Sequence, residues 1–362
     1  MSDTDSTVLG KRPVQIGLSI LAVFALVVIF LWSFNFMRED EAPKFLIAAV
    51  ALIVGVGGIW ALYLTMDNLV AQLPIRTRDF LRPYVFILPA LLVLGVFIVY
   101  PAIRTLYVSF FDYTRGGGIP TNFGLQNYIS VFKDPKTLIA IRNNLLWLIF
   151  VPLFAVSIGL VIAVLVDRIR WEKFAKALIF LPMAISFVGA SVIWRFMYYR
   201  ALFGQQIGLL NAIVTALGGE AVGWLRVEPW NNFLLIVIMI WLQTGFAMVI
   251  LSSAVKGVPA SLLEASRIDG ASEFRIFFQI IIPYVSSTIL TVTTTLVISV
   301  LKIFDIVFVM TSGQFNTDVV ANMMYNQMFK AGNYGRGAAL AVIIFVAVTP
   351  IMIRNIRNMN KA

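Results

Sequence analysis

The chain has 362 residues, of which 60% are apolar and only 13% are charged, whereas an ordinary soluble domain has roughly 45–50% apolar and about 25% charged residues. With a mean hydropathy of +0.90, this composition excludes a water-soluble globular fold and predicts a membrane protein. The 28 Lys and Arg residues exceed the 18 Asp and Glu residues. They stand between apolar runs instead of clustering on one solvated face, which argues against nucleic-acid binding.

The sequence contains neither cysteine nor histidine. Their absence removes disulfides, thiolate nucleophiles, imidazole bases and nearly all zinc, copper, haem and iron–sulfur sites. We therefore expect no metal and no other cofactor to be bound by this chain.

Apolar runs of membrane-spanning length recur along the whole sequence. A helix that crosses a bilayer core of about 30 Å needs about 20 such residues. The sequence has eight of these runs, which predicts an all-α, polytopic membrane protein with eight transmembrane helices. The predicted spans are Val14–Phe36, Phe45–Thr65, Tyr84–Phe110, Asn144–Val166, Ala177–Tyr199, Phe233–Val255, Tyr284–Met310 and Ala338–Ile353.

The first run follows Lys11 and Arg12. It is longer than the roughly 7–15 apolar residues of a cleavable signal peptide, so we interpret it as a retained anchor. With the N-terminus inside, 15 of the 28 basic residues fall in cytoplasmic segments, with the highest density in Asp167–Lys176. This pattern predicts a multi-pass protein of the cell membrane with both termini in the cytoplasm.

Eight helices without catalytic side chains suggest a transporter. The spans contain almost no ionisable residues for a coupling ion. Lys302 and Asp305 are the exception, and their spacing predicts that they share one face of the seventh helix, either as an ion pair between helices or as a substrate contact. The sequence lacks a G-x-x-x-x-G-K-[ST] motif for ATP. A partner must then supply the energy, and the chain needs a surface on which that partner docks.

The best candidate for that surface is the loop Val258–Pro283. Pro259 suits a helix start, because its missing N–H falls where no partner exists. The run Ala260–Ile268 then reads as a helix, with Glu264 and Arg267 as an i, i+3 pair.

A hinge follows this first helix. Asp269 and Gly270 break it, because glycine adopts the positive φ that ends helices, and Ser272 is placed to cap a second helix that runs to Pro283. Physical reasoning leaves two readings open: a passive pair of helices in the headgroup region, or an exposed end that inserts into a groove of another protein.

Five fixed points in this loop resemble a known signature. Glu264-Ala265-Ser266, Gly270 and Ile280-x-Ile282-Pro283 follow the pattern E-A-A-x-x-x-G and I-x-L-P of permeases from ATP-binding-cassette importers. The resemblance implies that the loop is a coupling helix that docks on an ATPase subunit, that Gly270 permits its turn and that Glu264 contacts the partner. The coupling residues that it implies are Glu264, Ala265, Ser266, Asp269 and Gly270.

The resemblance extends from about Arg82 to Arg354 and is closest to sugar permeases of the maltose type. The segments that carry it are Phe123-Gly124-Leu125-Gln126-Asn127-Tyr128, Leu181-Pro182, Trp194, Gly208-Leu209-Leu210-Asn211, Leu301-Lys302-x-Phe304-Asp305, Met310-Thr311, Thr317, Tyr325 and Gly335. The segments Ser312-Gly313-Gln314-Phe315 and Gly335-Arg336-Gly337-Ala338-Ala339 look more like the α-glucoside and glucosylglycerol branch.

This resemblance implies an architecture and a set of partners. Residues 84–362 are expected to form the six-helix core of a type I importer permease with its coupling loop at 256–283, and residues 1–83 a two-helix membrane extension. The implied partners are a second homologous permease, ATPase subunits that use ATP and Mg²⁺, an extracytoplasmic solute-binding protein and membrane lipid. The implied function is sugar import; the alternative is import of another polar solute, namely a polyol, a glucosylglycerol-like osmolyte or a peptide.

A sugar site needs partners for hydroxyl groups and an apolar face for the ring. Counted from the loop, Gln243 and Phe246 on the sixth span fall where the maltose-type permease has substrate contacts, and Ser299 on the seventh span does likewise. These three are the predicted substrate-binding residues. We expect most of the other Ser and Thr residues of the seventh span to bond to their own helix or to a neighbouring one.

Two other function classes fit less well. A membrane enzyme that uses carboxylates alone needs paired acids near an interface. The closely spaced acids of this sequence are instead predicted to lie in solvated segments outside the spans. They are Asp3, Asp5, Glu39, Asp40 and Glu41. A channel would need a ring of charge or a repeated filter sequence, and the sequence has neither.

Overall fold

Helices make up the regular structure of this chain. The computed structural model describes residues 4–38, 43–114, 119–167 and 169–359, and within them the only β-structure is two isolated bridges. The predicted all-α class is confirmed. Of the residues singled out from the sequence, Asp3, Glu39, Asp40 and Glu41 lie outside the described residues, as does Arg168 in the basic segment Asp167–Lys176.

The chain divides into two units, Met1–Ile103 and Arg104–Ala362. The helices of the first unit are α1 (Thr4–Met37), α2 (Lys44–Leu52), α3 (Gly58–Ala71), α4 (Ile75–Leu94) and the beginning of α5 (Tyr100–Val108). Short π-helical turns join α2 to α3 and α4 to α5, so each pair is nearly continuous. The candidate spans Gly17–Met37 and Lys44–Ala71 are only 6% and 0% buried. Most of their apolar side chains are therefore exposed, and lipid hydrocarbon can contact such side chains.

The second unit holds the remaining helices. They are α6 (Gln126–Lys133), α7 (Pro135–Val166), α8 (Glu172–Phe180), α9 (Phe187–Met197), α10 (Leu209–Ala216), α11 (Trp230–Lys256), α12 (Ala260–Ile268), α13 (Glu273–Ile276), α14 (Ile282–Tyr284), α15 (Ser286–Leu301), α16 (Asp305–Met310), α17 (Val320–Tyr325) and α18 (Tyr334–Met359). Several are short pieces that meet at bends, so the chain changes direction more often than its hydropathy pattern indicates.

The core of this unit forms where α7 packs against α11. Half of α7 and 56% of α11 are buried within their most apolar stretches. A Cβ on Gly159 would lie 2.8 Å from Ala247 Cβ and 2.9 Å from the Met248 nitrogen, so only glycine lets the helices approach so closely. Nearer the other end, the Trp147 indole N–H donates to Asn232 Oδ1 at 3.0 Å. The two longest helices of the unit therefore form its central pair.

Two helix pairs are bent, one within the predicted span Ala177–Tyr199 and one at the start of the predicted span Tyr284–Met310, whose helix ends at Leu301 instead. Glu172–Ala184 meets Phe187–Met197 at 99°, and Glu273–Tyr284 meets Ser286–Leu301 at 71°. In the first pair a 3₁₀ turn at Leu181–Ala184, which contains a proline, ends α8 before Ser186 caps α9. The described residues thus contain six helices long and apolar enough to cross a membrane, or eight if each bent pair is one span.

Candidate functional site

The segment between α11 and α15 has the predicted form of a helix, a hinge and a second helix. We call residues Val258–Pro283 the hinge loop. α12 begins directly after Pro259 and ends at Ile268, and Gly270 follows with a φ of +80°. A Cβ on Gly270 would meet no heavy atom within 4 Å. Glycine is therefore required there by the backbone conformation and not by lack of space.

Side chains hold the two helices of the hinge loop in place. Ser272 caps α13, because its Oγ accepts a hydrogen bond from the Arg275 N–H at 3.3 Å. Across the hinge, Arg267 Nε donates to Glu273 Oε1 at 2.8 Å, and this hydrogen bond raises the pKa of the Arg267 guanidinium. The direct ion pair of Arg267 is therefore with Glu273 and not with the predicted partner Glu264, whose charge acts on the guanidinium without a direct contact.

The hinge loop is anchored at its base and exposed at its tip. Ile276 and Ile281 are 0% and 3% exposed, in one apolar cluster with residues of α7, α11 and α15. Ile268 and Phe274, which flank the hinge, are 85% and 75% exposed. Large apolar side chains next to a fixed turn form a surface suited to a groove of another protein.

The predicted coupling residues lie together around this hinge. Four of them are exposed, namely Glu264, Ala265, Asp269 and Gly270. Ser266 is half-buried, and its hydroxyl donates to the Leu262 carbonyl at 2.7 Å. Their role in coupling stays a prediction.

A cluster of charges lies where α11 reaches the hinge loop. Lys176 bonds to Asp167, Glu172 and Ser252, and Glu172 also pairs with Lys256. Ser252 Oγ donates to Asp167 Oδ1 at 2.9 Å. The sequence showed only a run of basic residues here. The cluster instead ties the loop after α7, the first turns of α8 and the end of α11 to one another.

A cleft opens beside the 99° bend. Its volume is about 420 Å³, within the roughly 300–1,000 Å³ range of small-molecule sites. Its lining residues are Met183, Ile185, Ser186, Phe187, Val188, Leu242, Gln243 and Asp305, and we call it the Gln243 cleft. Gly245 positions it, because a Cβ there would lie 2.5 Å from the Ile179 carbonyl oxygen and would push α8 away from α11.

The structure does not bring the three predicted substrate residues to one surface. Gln243 lines the cleft, whereas Phe246 packs half-buried against the apolar cluster at the base of the hinge loop. Ser299 Oγ donates to the Thr295 carbonyl at 3.1 Å. Thr291, Thr294 and Thr295 bond back to their own helix in the same way, as predicted for hydroxyls of this span. Substrate binding by Gln243, Phe246 and Ser299 stays a prediction.

The prediction that Lys302 and Asp305 share a helix face is wrong. α15 ends at Leu301, and α16 begins only at Asp305. Lys302 is exposed at the break, and Asp305 lines the Gln243 cleft. Among the described side chains, neither residue forms an ion pair within 4 Å. The sequence pattern therefore placed the Asp305 carboxylate on a helix face, whereas the structure places it in the Gln243 cleft.

The segment Gly208-Leu209-Leu210-Asn211 holds a loop together. The fully buried Asn211 donates to the carbonyls of Tyr199 and Val222 at 2.9 and 3.0 Å and accepts from the Val222 N–H at 2.9 Å. A Cβ on Gly208 would lie 2.1 Å from the Tyr199 oxygen. This motif is thus structural: it folds the chain after α9 back onto itself.

Two other motif residues meet across the unit. Asn127 Nδ2 donates to the carbonyls of Ser109 and Phe111 at 3.0 and 2.8 Å. A Cβ on Gly335 would lie 2.3 Å from the same Phe111 oxygen, and the Gly335 N–H donates to the Tyr113 carbonyl at 3.0 Å. Residues that are distant in sequence therefore pack the start of α18 against the end of α5.

The family model described as "binding-protein-dependent transport system inner membrane component" matches residues 136–358. The chain belongs to this family. The matched region includes the hinge loop and both bent pairs of helices. The permease is thus an inner-membrane, multi-pass component of a transport system.

Two relatives cover most of the permease. An osmoprotective compounds uptake permease protein from Synechocystis sp. is 57% identical over 274 residues, which is 75% of this chain and 96% of that protein. An alpha-glucoside transport system permease protein from Rhizobium meliloti is 49% identical over 332 residues, covering 88% and 97%. These similarities confirm the resemblance that the hinge-loop motif indicated.

A solved structure shares the fold. It is a bacterial ABC transporter involved in the import of the acidic polysaccharide alginate, one chain of which superposes with a TM-score of 0.64 and 21% identity over 77% of the permease and 96% of that chain.

Within the described residues, no group of three or more His, Cys, Asp or Glu side chains is placed to hold a metal ion.

Proposed function

We propose that this permease is a transmembrane subunit of an ATP-driven, binding-protein-dependent sugar importer. It forms half of the translocation path and is driven by a separate ATPase that grips the hinge loop. The observation that carries the proposal is the exposed apolar tip at the hinge, Ile268 and Phe274, on a loop whose base is buried. Such a tip leaves apolar surface in water unless a partner covers it.

The electrostatics of the hinge loop support a polar rim around that apolar contact. The Glu264 carboxylate is exposed and accepts no hydrogen bond from the described residues, although its charge acts on Arg267, which is held by Glu273. Glu264 is then available to a basic or amide group of the ATPase. ATP and Mg²⁺ belong to that partner, and closure of the ATPase would move the hinge loop as a rigid element.

The Gln243 cleft is the proposed sugar site. The amide of Gln243 and the carboxylate of Asp305 would pair with sugar hydroxyls, and the apolar lining beside them would meet the ring. In this proposal Phe246 and Ser299 join the site only after the helices move. We further propose that both bent pairs cross the membrane, which gives eight spans with both termini in the cytoplasm, and that residues 1–83 form an extension to a core at 84–362.

The proposed assembly contains a second homologous permease, the ATPase subunits and an extracytoplasmic solute-binding protein. The 57% identity to an osmoprotective compounds uptake permease protein favours one alternative cargo, a glucosylglycerol-like osmolyte. An α-glucoside and glucosylglycerol both carry a glucosyl group, so the same cleft would serve either cargo.

Transport by the reconstituted importer tests the proposal. The chain is co-expressed with its neighbouring subunits, reconstituted in proteoliposomes with ATP on the ATPase side, and supplied with the binding protein and a radiolabelled α-glucoside or glucosylglycerol. Glu264→Lys should abolish uptake while the protein remains in the membrane. Glu220→Lys, which reverses the charge of an exposed acid outside the hinge loop, is the matched control and should leave uptake unchanged. Uptake of both solutes without any ATPase subunit would refute the proposal.

A further inference from the structure

A second cavity lies at the end of α11 that is remote from the hinge loop. Three segments meet there, residues 195–202, 223–226 and 309–315, around a volume of about 540 Å³. The Asn231 side chain on the first turn of α11 donates to the Phe315 carbonyl at 2.7 Å, which fixes one wall. Because α11 has 27 residues and each rises about 1.5 Å, roughly 40 Å separate this cavity from the hinge loop.

The cavity concentrates positive charge. Arg195, Arg200 and Arg226 line it, and no acidic residue does. No ion pair within the described residues involves any of the three. Arg200 Nη1 and the Arg226 side chain both lie 3.8 Å from where a Cβ on Gly223 would stand, so two guanidinium-bearing side chains flank one backbone position. Guanidinium stays charged at any physiological pH, and because all three arginines are exposed, they are open to an anion from outside this chain.

Uncharged groups complete the lining. Tyr199, Trp224 and Phe315 supply aromatic surface, and the Arg226 guanidinium carbon lies 5.7 Å from the centre of the Phe315 ring. The indole N–H of Trp224 is shielded from solvent and has no acceptor among the described residues. Aromatic faces suit the apolar side of a sugar ring, and a guanidinium binds a carboxylate through two parallel hydrogen bonds.

We propose that this arginine cavity is a second binding site, separate from the Gln243 cleft, that takes an acidic saccharide: a sugar whose carboxylate pairs with Arg200 and Arg226 and whose ring lies against the aromatic side chains. The inference goes beyond the proposed importer, because it adds a class of ligand that the uncharged amide of Gln243 does not select. An acidic sugar held there would be either a cargo or an effector of transport.

Direct binding tests this site without relying on transport. The permease, purified with the subunits that accompany it and placed in nanodiscs of uncharged phosphatidylcholine, is titrated with glucuronate in a calorimeter, with glucose and inorganic sulfate as comparison solutes. Glucuronate should bind, glucose should bind at least about tenfold more weakly, and Arg200→Gln or Arg226→Gln should each weaken glucuronate binding by about tenfold. Arg142→Gln, which alters a different cavity, is the matched control and should leave binding unchanged.

Three results would overturn the inference. The first is the absence of any binding heat with glucuronate. The second is equal affinity for sulfate and glucuronate, which would mark an adventitious ion only. The third is loss of glucuronate binding in nanodiscs that contain phosphatidylglycerol, which would identify the site as one for lipid headgroups. Failure here is distinguishable from failure of the proposed function, because uptake of a neutral α-glucoside by the arginine variants reports on the importer alone.

Discussion

Substitution of Gly270 separates backbone strain from steric conflict at the hinge. The residue has a φ of +80°, and a Cβ there would meet nothing within 4 Å, so any cost of a side chain comes from the backbone conformation. For a residue other than glycine, the left-handed conformation costs roughly 1–2 kcal/mol, which lowers the population of the correct hinge by a factor of roughly 5–30. Gly270→Val should therefore reduce ATP-driven uptake by about that factor, and Gly270→Asn should reduce it less, because asparagine tolerates this region.

The assay is uptake per ATP hydrolysed in proteoliposomes, with membrane insertion checked by fractionation. Gly218→Val is the matched control: Gly218 has a φ of +83° and equally open surroundings, but it lies in the loop after α10. The same strain there should leave uptake unchanged. Wild-type uptake by Gly270→Val, or an equal loss in both variants, would refute the reasoning.

Two further predictions concern the stability of the second unit. Asn211→Ala removes three hydrogen bonds inside a buried loop and should destabilise it by about 2–4 kcal/mol, seen as a lower melting temperature in detergent; an unchanged melting temperature would show that the loop does not depend on this side chain. Burial raises the pKa of Asp318, so the folded state binds this proton more tightly than the unfolded chain does, and the resulting stability is present below the unfolded pKa of about 3.9 and lost as pH rises through the folded pKa. Asp318→Asn should therefore raise the melting temperature at pH 7 more than at pH 4, and parallel melting curves for the two proteins would contradict this.

Local signals predicted the hinge loop well. Pro259, Gly270 and Ser272 act through their own backbone or through groups a few residues away, so their positions in the sequence suffice to place two helices and a turn. The partner of Arg267 was missed, because Glu273 becomes its neighbour only after the hinge has folded.

Hydropathy located the apolar runs but did not predict where the helices within them bend or break. Nothing in an apolar count distinguishes a straight helix from the pair that meets at 99°, and the break before Asp305 moved a carboxylate from a helix face into a cleft. The role of Asn211 was likewise beyond the sequence, because its partners Tyr199 and Val222 approach it only through the fold of the intervening loop.

The uninterrupted α11 has a mechanical consequence. It is one unbroken helix that reaches from the Lys256 pair with Glu172 at one end to the Asn231 bond with Phe315 at the other. Tilting a rod of roughly 40 Å by about 10° about its midpoint displaces each tip by about 3.5 Å in opposite directions. A displacement of that size at one membrane surface would therefore produce an equal displacement in the opposite direction at the other surface. No residue of α11 would have to change its own conformation.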